Sequence, residues 1–242
     1  MRPAKAHSEQ GNKQPSPLPI ACNGYRVHNG RFQRLVTLAI IGWGLAVVAC
    51  SAAIIWSSRQ PGAIGQSPNR LPALSDLSPI PGSTTLIIAV HPHCPCTHAT
   101  VVNLERVLQS AQASCTTVAL LYTPHEQGKT WSDTELVNQL SRLPNTRLVR
   151  DDDGRTAAQI GMHTSGQVLF YDAGGALRFA GGITQSRGHE GDCEPLEQLT
   201  ALLAGRRPTD SSSGPAVASV FGCPLCNEGA SSVCSPMTSN EP

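Results

Sequence analysis

The residues His91-Pro92-His93-Cys94-Pro95-Cys96-Thr97-His98 put two thiols and three imidazoles into eight positions. Thiolate is the attacking species in disulfide exchange, so Cys94 as nucleophile and Cys96 as resolving thiol would make a redox pair. Closing a ring over one intervening residue is strained, and a strained disulfide is readily reduced. The same loop has a second chemistry: His91, His93, Cys94, Cys96 and His98 are soft and borderline ligands suited to copper or zinc. An inert structural disulfide is the third reading. Other cysteines widen the choice, since the chain has nine. Cys223-Pro224-Leu225-Cys226, with Cys193 and Cys234, suits ordinary disulfides, a resolving thiol at Cys223 or Cys226, or a zinc cluster.

The loop falls between two patterned segments. Thr85 to Val90 is a continuous β-branched and apolar run, as in a strand buried on both faces. Val101, Leu104, Val107, Leu108 and Ala111 recur at helical spacing. Cys94 would then occupy or adjoin the helix N-cap, with Pro95 at the first helical position, where a missing N–H costs nothing. Unpaired N–H groups and the positive end of the helix dipole stabilise a thiolate there. A protonated histidine of the loop would act the same way.

Further along, Thr116 to Tyr122 reads as a second buried strand whose start makes Cys115 core. Ser132 and Glu135 form a capping-box pattern before Leu136, Val137, Leu140 and Leu143, and Pro144 ends that helix. Thr146 to Arg150 suits a short edge strand, and Ala157 to Ile160 a helical turn. Val168–Tyr171 and Leu177–Ala180 flank Asp172-Ala173-Gly174-Gly175, a hairpin signal. Pro195, Leu196, Leu199, Leu202, Leu203 and Gly205 mark a last helix. The order β-α-β-α-β-α-β-β-α predicts an α/β fold, a mixed β-sheet flanked by helices.

That order and the strand–Cys–helix junction resemble the thioredoxin superfamily, and within it the membrane-tethered TlpA/ResA-type and peroxiredoxin-like members. The likeness covers about half of the chain and includes Asp153-Gly154, Ala157, Ala158, Gly161 and Leu169-Phe170-Tyr171-Asp172. His91–Thr97, Thr164-Ser165-Gly166, Gly188-His189-Glu190-Gly191-Asp192 and Phe221-Gly222-Cys223-Pro224-Leu225 resemble the narrower group of RedB proteins. The resemblance implies a thioredoxin-like fold and thiol–disulfide oxidoreductase activity without a cofactor. The pattern departs from a thioredoxin in three ways. One residue separates Cys94 from Cys96 instead of two, and His93 stands where a tryptophan is usual. The family's cis-proline is replaced around Ser165-Gly166, where glycine would let a partner backbone approach closely. The Thr-x-x-Cys signature of peroxiredoxins is absent, which argues against peroxidase activity.

Leu35 to Trp56 is a run of 22 uncharged residues, enough to span a hydrocarbon core as a helix. Residues 1–34 carry six basic residues against Glu9 alone, so the N-terminus is expected in the cytoplasm and the main domain outside, in the periplasm or its equivalent. Disulfides persist there. Residues 1–34 are thus a cytoplasmic tail, 35–56 a transmembrane helix, 57–82 a Pro/Ser/Gly-rich linker, 83–205 the thioredoxin-like domain and 206–242 a flexible Cys-containing tail. A net charge of +1 and 4% aromatics exclude a nucleic-acid binder.

The reading is a membrane-anchored thiol–disulfide oxidoreductase acting on protein thiols or disulfides. Cys94 and Cys96 are its catalytic pair, His93 and His98 tune the thiol, and Gly166 shapes docking. The alternatives are a copper-binding protein or metallochaperone using the same loop, and a non-catalytic binding domain. A coil over 206–222 would reach about 20–25 Å, enough to bring Cys223 or Cys226 to Cys94 or Cys96. A local Cys223–Cys226 disulfide is the simpler expectation.

Overall fold

The structure, a computed structural model, describes residues 30–75, 77, 80, 82–111, 115–206 and 214–225. Most of the expected cytoplasmic tail, together with Cys22, Cys226 and Cys234, lies outside the described residues. Helix α1 (Gly30–Ser58) extends the expected span at both ends and buries no residue. Among the described residues it is the one helix long and apolar enough to cross a membrane, with a mean hydropathy of 2.4. Its 29 residues measure about 43 Å, longer than the roughly 30 Å of a hydrocarbon core.

In the domain, strand β1 (Thr84–Val90) leads through the Cys94 turn to α2 (Pro95–Ala111). Then follow β2 (Cys115–Thr123), α3 (Glu135–Ser141), β3 (Thr146–Asp152), α4 (Arg155–Gln159), β4 (Gln167–Tyr171), β5 (Leu177–Gly182), α5 (Glu194–Leu203) and β6 (Ala216–Val217). The sheet order is β3-β2-β1-β4-β5-β6. The strands β1, β2 and β3 are parallel, β4 runs antiparallel to β1 and β5, and β6 joins β5 in parallel. The predicted order is what the chain adopts, with β6 added. One cap differs: Thr134, not Ser132, accepts a hydrogen bond from the Val137 N–H, and Ser132 closes a 3-10 turn.

The two faces of the sheet are covered unequally. Leu86, Ile88, Leu121 and Phe170 on one face receive Leu104 of α2, Leu140 of α3 and Leu199 of α5. That takes every long helix of the domain. Among the described residues the other face, with Ile87, Val118, Leu120 and Leu169, meets the short α4 and Trp131 of the 3-10 turn, and the rest of its apolar area must be shielded by something else. Leu71, Leu74 and Leu77 do so, together with Leu225 from near the C-terminus. The segment expected as a free linker is therefore extended but docked. The Leu71 N–H donates to the Gly175 carbonyl at 2.8 Å, the Leu177 N–H to Asn69 at 2.9 Å and the Gly65 N–H to Gly161 at 3.0 Å. Gly161 sits at φ +74°, and a Cβ there would meet the Gln66 carbonyl oxygen at 2.5 Å.

Residues 214–225 correct the expectation of a flexible tail in the same way. Val220 and Leu225 are each 1% exposed. The Gly62 N–H donates to the Val220 carbonyl at 2.8 Å, and the Ala218 N–H to Ala180 at 3.1 Å. Apolar residues scattered among Ser, Gly and Pro have no period to announce them. Their burial depends on the uncovered sheet face and edge that they meet.

Candidate functional site

Strand β1 stops at Val90 because the chain turns sharply. The Cys94 N–H bonds the His91 carbonyl at 2.9 Å, Pro95 opens α2, and the Thr97 N–H returns to the Cys94 carbonyl at 3.1 Å. Cys94 is thereby held just ahead of the helix, as its sequence context predicts, and is 2% exposed. Its sulfur lies 2.9 Å from Cys223 Sγ. Of the two expectations for the C-terminal cysteines, the described residues thus place Cys223 against Cys94. Both are free thiols.

A chain of hydrogen bonds supports the Cys94 sulfur. The His91 N–H donates to Ser165 Oγ at 2.7 Å, and Ser165 Oγ is 2.5 Å from Thr97 Oγ1. Ser165 already accepts from His91, so its own hydroxyl is free to donate to Thr97, whose hydroxyl can then donate to the sulfur. Burial alone would raise the Cys94 thiol. The Cys223 thiol, the Thr97 hydroxyl and the N–H groups of Thr97 and Cys223 outweigh it, and Cys94 falls below its ordinary value. Cys223 is pushed up to about 12 by burial, its bond to Cys94 and the nearby charge, with Arg187 opposing. The two thiols are thus shifted in opposite directions, Cys94 down and Cys223 up, so of the pair Cys94 is the one that ionises first. Cys96, in the first turn of α2, is raised by burial and by Cys94, again with Arg187 opposing through a hydrogen bond.

The supporting role expected of His93 and His98 falls to Thr97 and Cys223. The His93 ring packs on Trp131 at 4.6 Å between centroids, with Nε2 2.9 Å from the Trp131 carbonyl. His98 Nδ1 pairs with Glu190 Oε1 at 3.2 Å, out in solvent. The His91 ring stacks on Tyr122 at 5.3 Å, and burial first, then His93, holds it below the ordinary imidazole range, so it is neutral at pH 7. Of the five loop residues considered for copper, His93, Cys94 and His98 have partners outside the loop in Trp131, Cys223 and Glu190, while Cys94 and Cys96 also bond each other. Among the described residues no three His, Cys, Asp or Glu side chains are grouped to hold a metal.

Gly166 has a different use from the one expected. It takes φ +86°, a Cβ there would press on Thr100 Oγ1, and its N–H bonds Ala89 at 2.7 Å. It therefore fixes the loop, and the close backbone approach occurs one residue earlier. The Ser165 N–H donates to the Cys223 carbonyl at 2.8 Å, and a Cβ on Gly222 would run into the Ser165 carbonyl oxygen. No peptide bond among the described residues is cis. Sequence reasoning missed Thr97, Ser165, Arg187 and Trp131 as site residues. Thr97 and Ser165 were visible only as parts of motifs, and Arg187 stands just outside the Gly188–Asp192 motif. In fact Arg187 Nη1 donates to the Gly222 carbonyl at 2.5 Å.

Parallel β1–β3, the antiparallel β4–β5 hairpin, the closing helix and a cysteine at the β1–α2 junction define a thioredoxin-like α/β fold. No family model and no curated protein matches the chain. Solved structures similar to it include an uncharacterized conserved protein from Geobacillus kaustophilus, 17% identical with a TM-score of 0.48, over 70% of this chain and 94% of that one. Another is a secreted Mycobacterium tuberculosis disulfide oxidoreductase homologous to E. coli DsbE, at 17% identity and a TM-score of 0.37, over 52% of this chain and 83% of that one. A third is Bradyrhizobium japonicum ScoI with copper bound, at 15% identity and a TM-score of 0.33, over 57% of this chain and 96% of that one. What the chain does has to be read from its own side chains.

Proposed function

We propose that the chain is a thiol–disulfide oxidoreductase of the thioredoxin superfamily, anchored by α1 with its domain outside the cytoplasm and related to the TlpA/ResA-type and RedB proteins. One observation carries the reading: a cysteine at a helix start, lowered in pKa, with a second thiol 2.9 Å from its sulfur. The Cys94 thiolate attacks one sulfur of a client disulfide, and the other client sulfur leaves as thiolate. A second thiol of the site then loses its proton and attacks Cys94 Sγ. This expels the client's remaining sulfur and leaves the site oxidised by two electrons. The reverse sequence oxidises a client dithiol. The first step matches the chemistry of disulfide exchange, in which the thiolate is the attacking species, and in the reverse sequence the low-pKa Cys94 is the better leaving group.

The test is turnover by the full chain in detergent micelles. Reduction of a protein disulfide such as that of insulin, with a thiol as electron source, should depend on Cys94 and vanish in Cys94→Ala. Copper content of the same preparation is read in parallel. Stoichiometric copper, or turnover that survives Cys94→Ala, overturns the reading.

A further inference from the structure

Residues near the C-terminus do more than supply a thiol. The Ser165 N–H donates to the Cys223 carbonyl at 2.8 Å, the Leu225 N–H donates to the His163 carbonyl at 2.9 Å, and Thr164 and Pro224 form an antiparallel bridge. These are the main-chain bonds by which an extended peptide adds to an exposed strip of backbone. The strip runs from His163 to Ser165, and Ser165 is hydrogen-bonded to the Thr97 that serves the Cys94 sulfur. A peptide paired on this strip delivers its cysteine to Cys94, and Cys223 is so delivered. Two further contacts fit the segment to its place. Gly222 leaves room that no side chain could share with the Ser165 carbonyl, and Arg187 holds the Gly222 carbonyl.

We infer that Gly222–Leu225 is a resident peptide on the client-docking strip of the Cys94 site, and that Cys223 is the thiol with which Cys94 forms the oxidised state. The client class follows from the contacts: an extended, cysteine-containing segment that pairs with residues 163–165. This rests on the exchange chemistry proposed above. Client and tail then alternate on one strip. A client disulfide displaces the tail and is attacked by Cys94, forming a Cys94–client disulfide and releasing one client thiolate. The tail returns, and Cys223 gives up its proton and attacks Cys94 Sγ. The Cys94–Cys223 bond forms, the client's second sulfur leaves as thiolate, and two electrons have passed to the client. Return of the tail also removes the client's backbone from the strip, coupling resolution to release.

The experiment uses the full chain in micelles and a synthetic extended peptide carrying a mixed disulfide with a chromogenic thiol. Release of the chromophore reports capture by Cys94, and non-reducing peptide mapping reports which bond follows. The wild-type chain should end with a Cys94–Cys223 bond and free peptide. Cys223→Ser should capture the peptide but accumulate the Cys94–peptide disulfide. Gly222→Ala, which expels the tail, should capture at least tenfold faster, since two main-chain hydrogen bonds and the buried Leu225 side chain no longer compete. It should also resolve slowly, and circular dichroism confirms that it is folded. Only Cys94–Cys96 in the wild-type map, resolution in Cys223→Ser at the wild-type rate, or slower capture by folded Gly222→Ala overturns the inference. Absence of chromophore release from all three proteins would instead overturn the oxidoreductase reading beneath it.

Discussion

Replacing Thr97 by valine keeps shape and volume and removes one hydroxyl. Thr97 is fully buried, so no water replaces the lost donor. Hydrogen bonds to charged groups contribute about 1.5–3 kcal/mol, with a diffuse thiolate toward the weak end, and one pKa unit equals about 1.36 kcal/mol. The N–H groups of Thr97 and Cys223 and the Cys223 thiol remain. Thr97→Val should therefore raise the Cys94 pKa by about one unit, and Thr97→Ser, which restores the hydroxyl, by much less. The assay is the rate of Cys94 alkylation against pH in a Cys96→Ser background, read at Cys94 by mass spectrometry. Stability gives a second reading. A lowered Cys94 contributes stability that is fully present above the ordinary thiol value of 9.0 and is lost as pH falls through the folded value. The stability gap between wild type and Thr97→Val should thus be wider at pH 9 than at pH 6. An unchanged or lower inflection in Thr97→Val would refute the hydrogen-bond account of the thiolate.

Leu225→Ala should cost about 2–5 kcal/mol in chemical denaturation, because the side chain is 1% exposed and helps cover the second sheet face; a change under 1 kcal/mol would mean that the tail is not part of the core. Arg187→Gln removes the charge that opposes the rise of Cys96 and Cys223, so both should titrate higher still, seen as slower alkylation of Cys96 near pH 8. A reporter fused after Pro242 should be active only outside the cytoplasm, and cytoplasmic activity would reverse the orientation.

The regular elements were legible because each carries a period: the β-branched run of β1, the stripe of α2, the hairpin signal between β4 and β5. Cys94 was legible because a Cys-Pro at a strand–helix junction has a mechanism attached. The covering of the second sheet face was not. Leu71, Leu74, Leu77 and Leu225 lie in turn-rich segments whose composition reads as linker, and only the placement of α2, α3 and α5 on one face creates the need for them. Charge on histidine was the natural guess for lowering a thiol. The structure assigns that work to uncharged donors, Thr97 and Cys223, separated from Cys94 by very different lengths of chain. Thr97 and Ser165 have residue types too common to single out before the fold joins them at 2.5 Å.

The central claim is that Cys94 exchanges disulfides. Equilibrating the full chain in micelles with a graded series of reduced and oxidised glutathione, then quantifying free Cys94 by site-resolved mass spectrometry, tests it most directly. The account predicts a two-electron transition in which Cys94 is lost to an intramolecular disulfide, with a midpoint in the span of roughly −120 to −270 mV covered by exchange proteins. A Cys94 that stays a free thiol at every poise would contradict it.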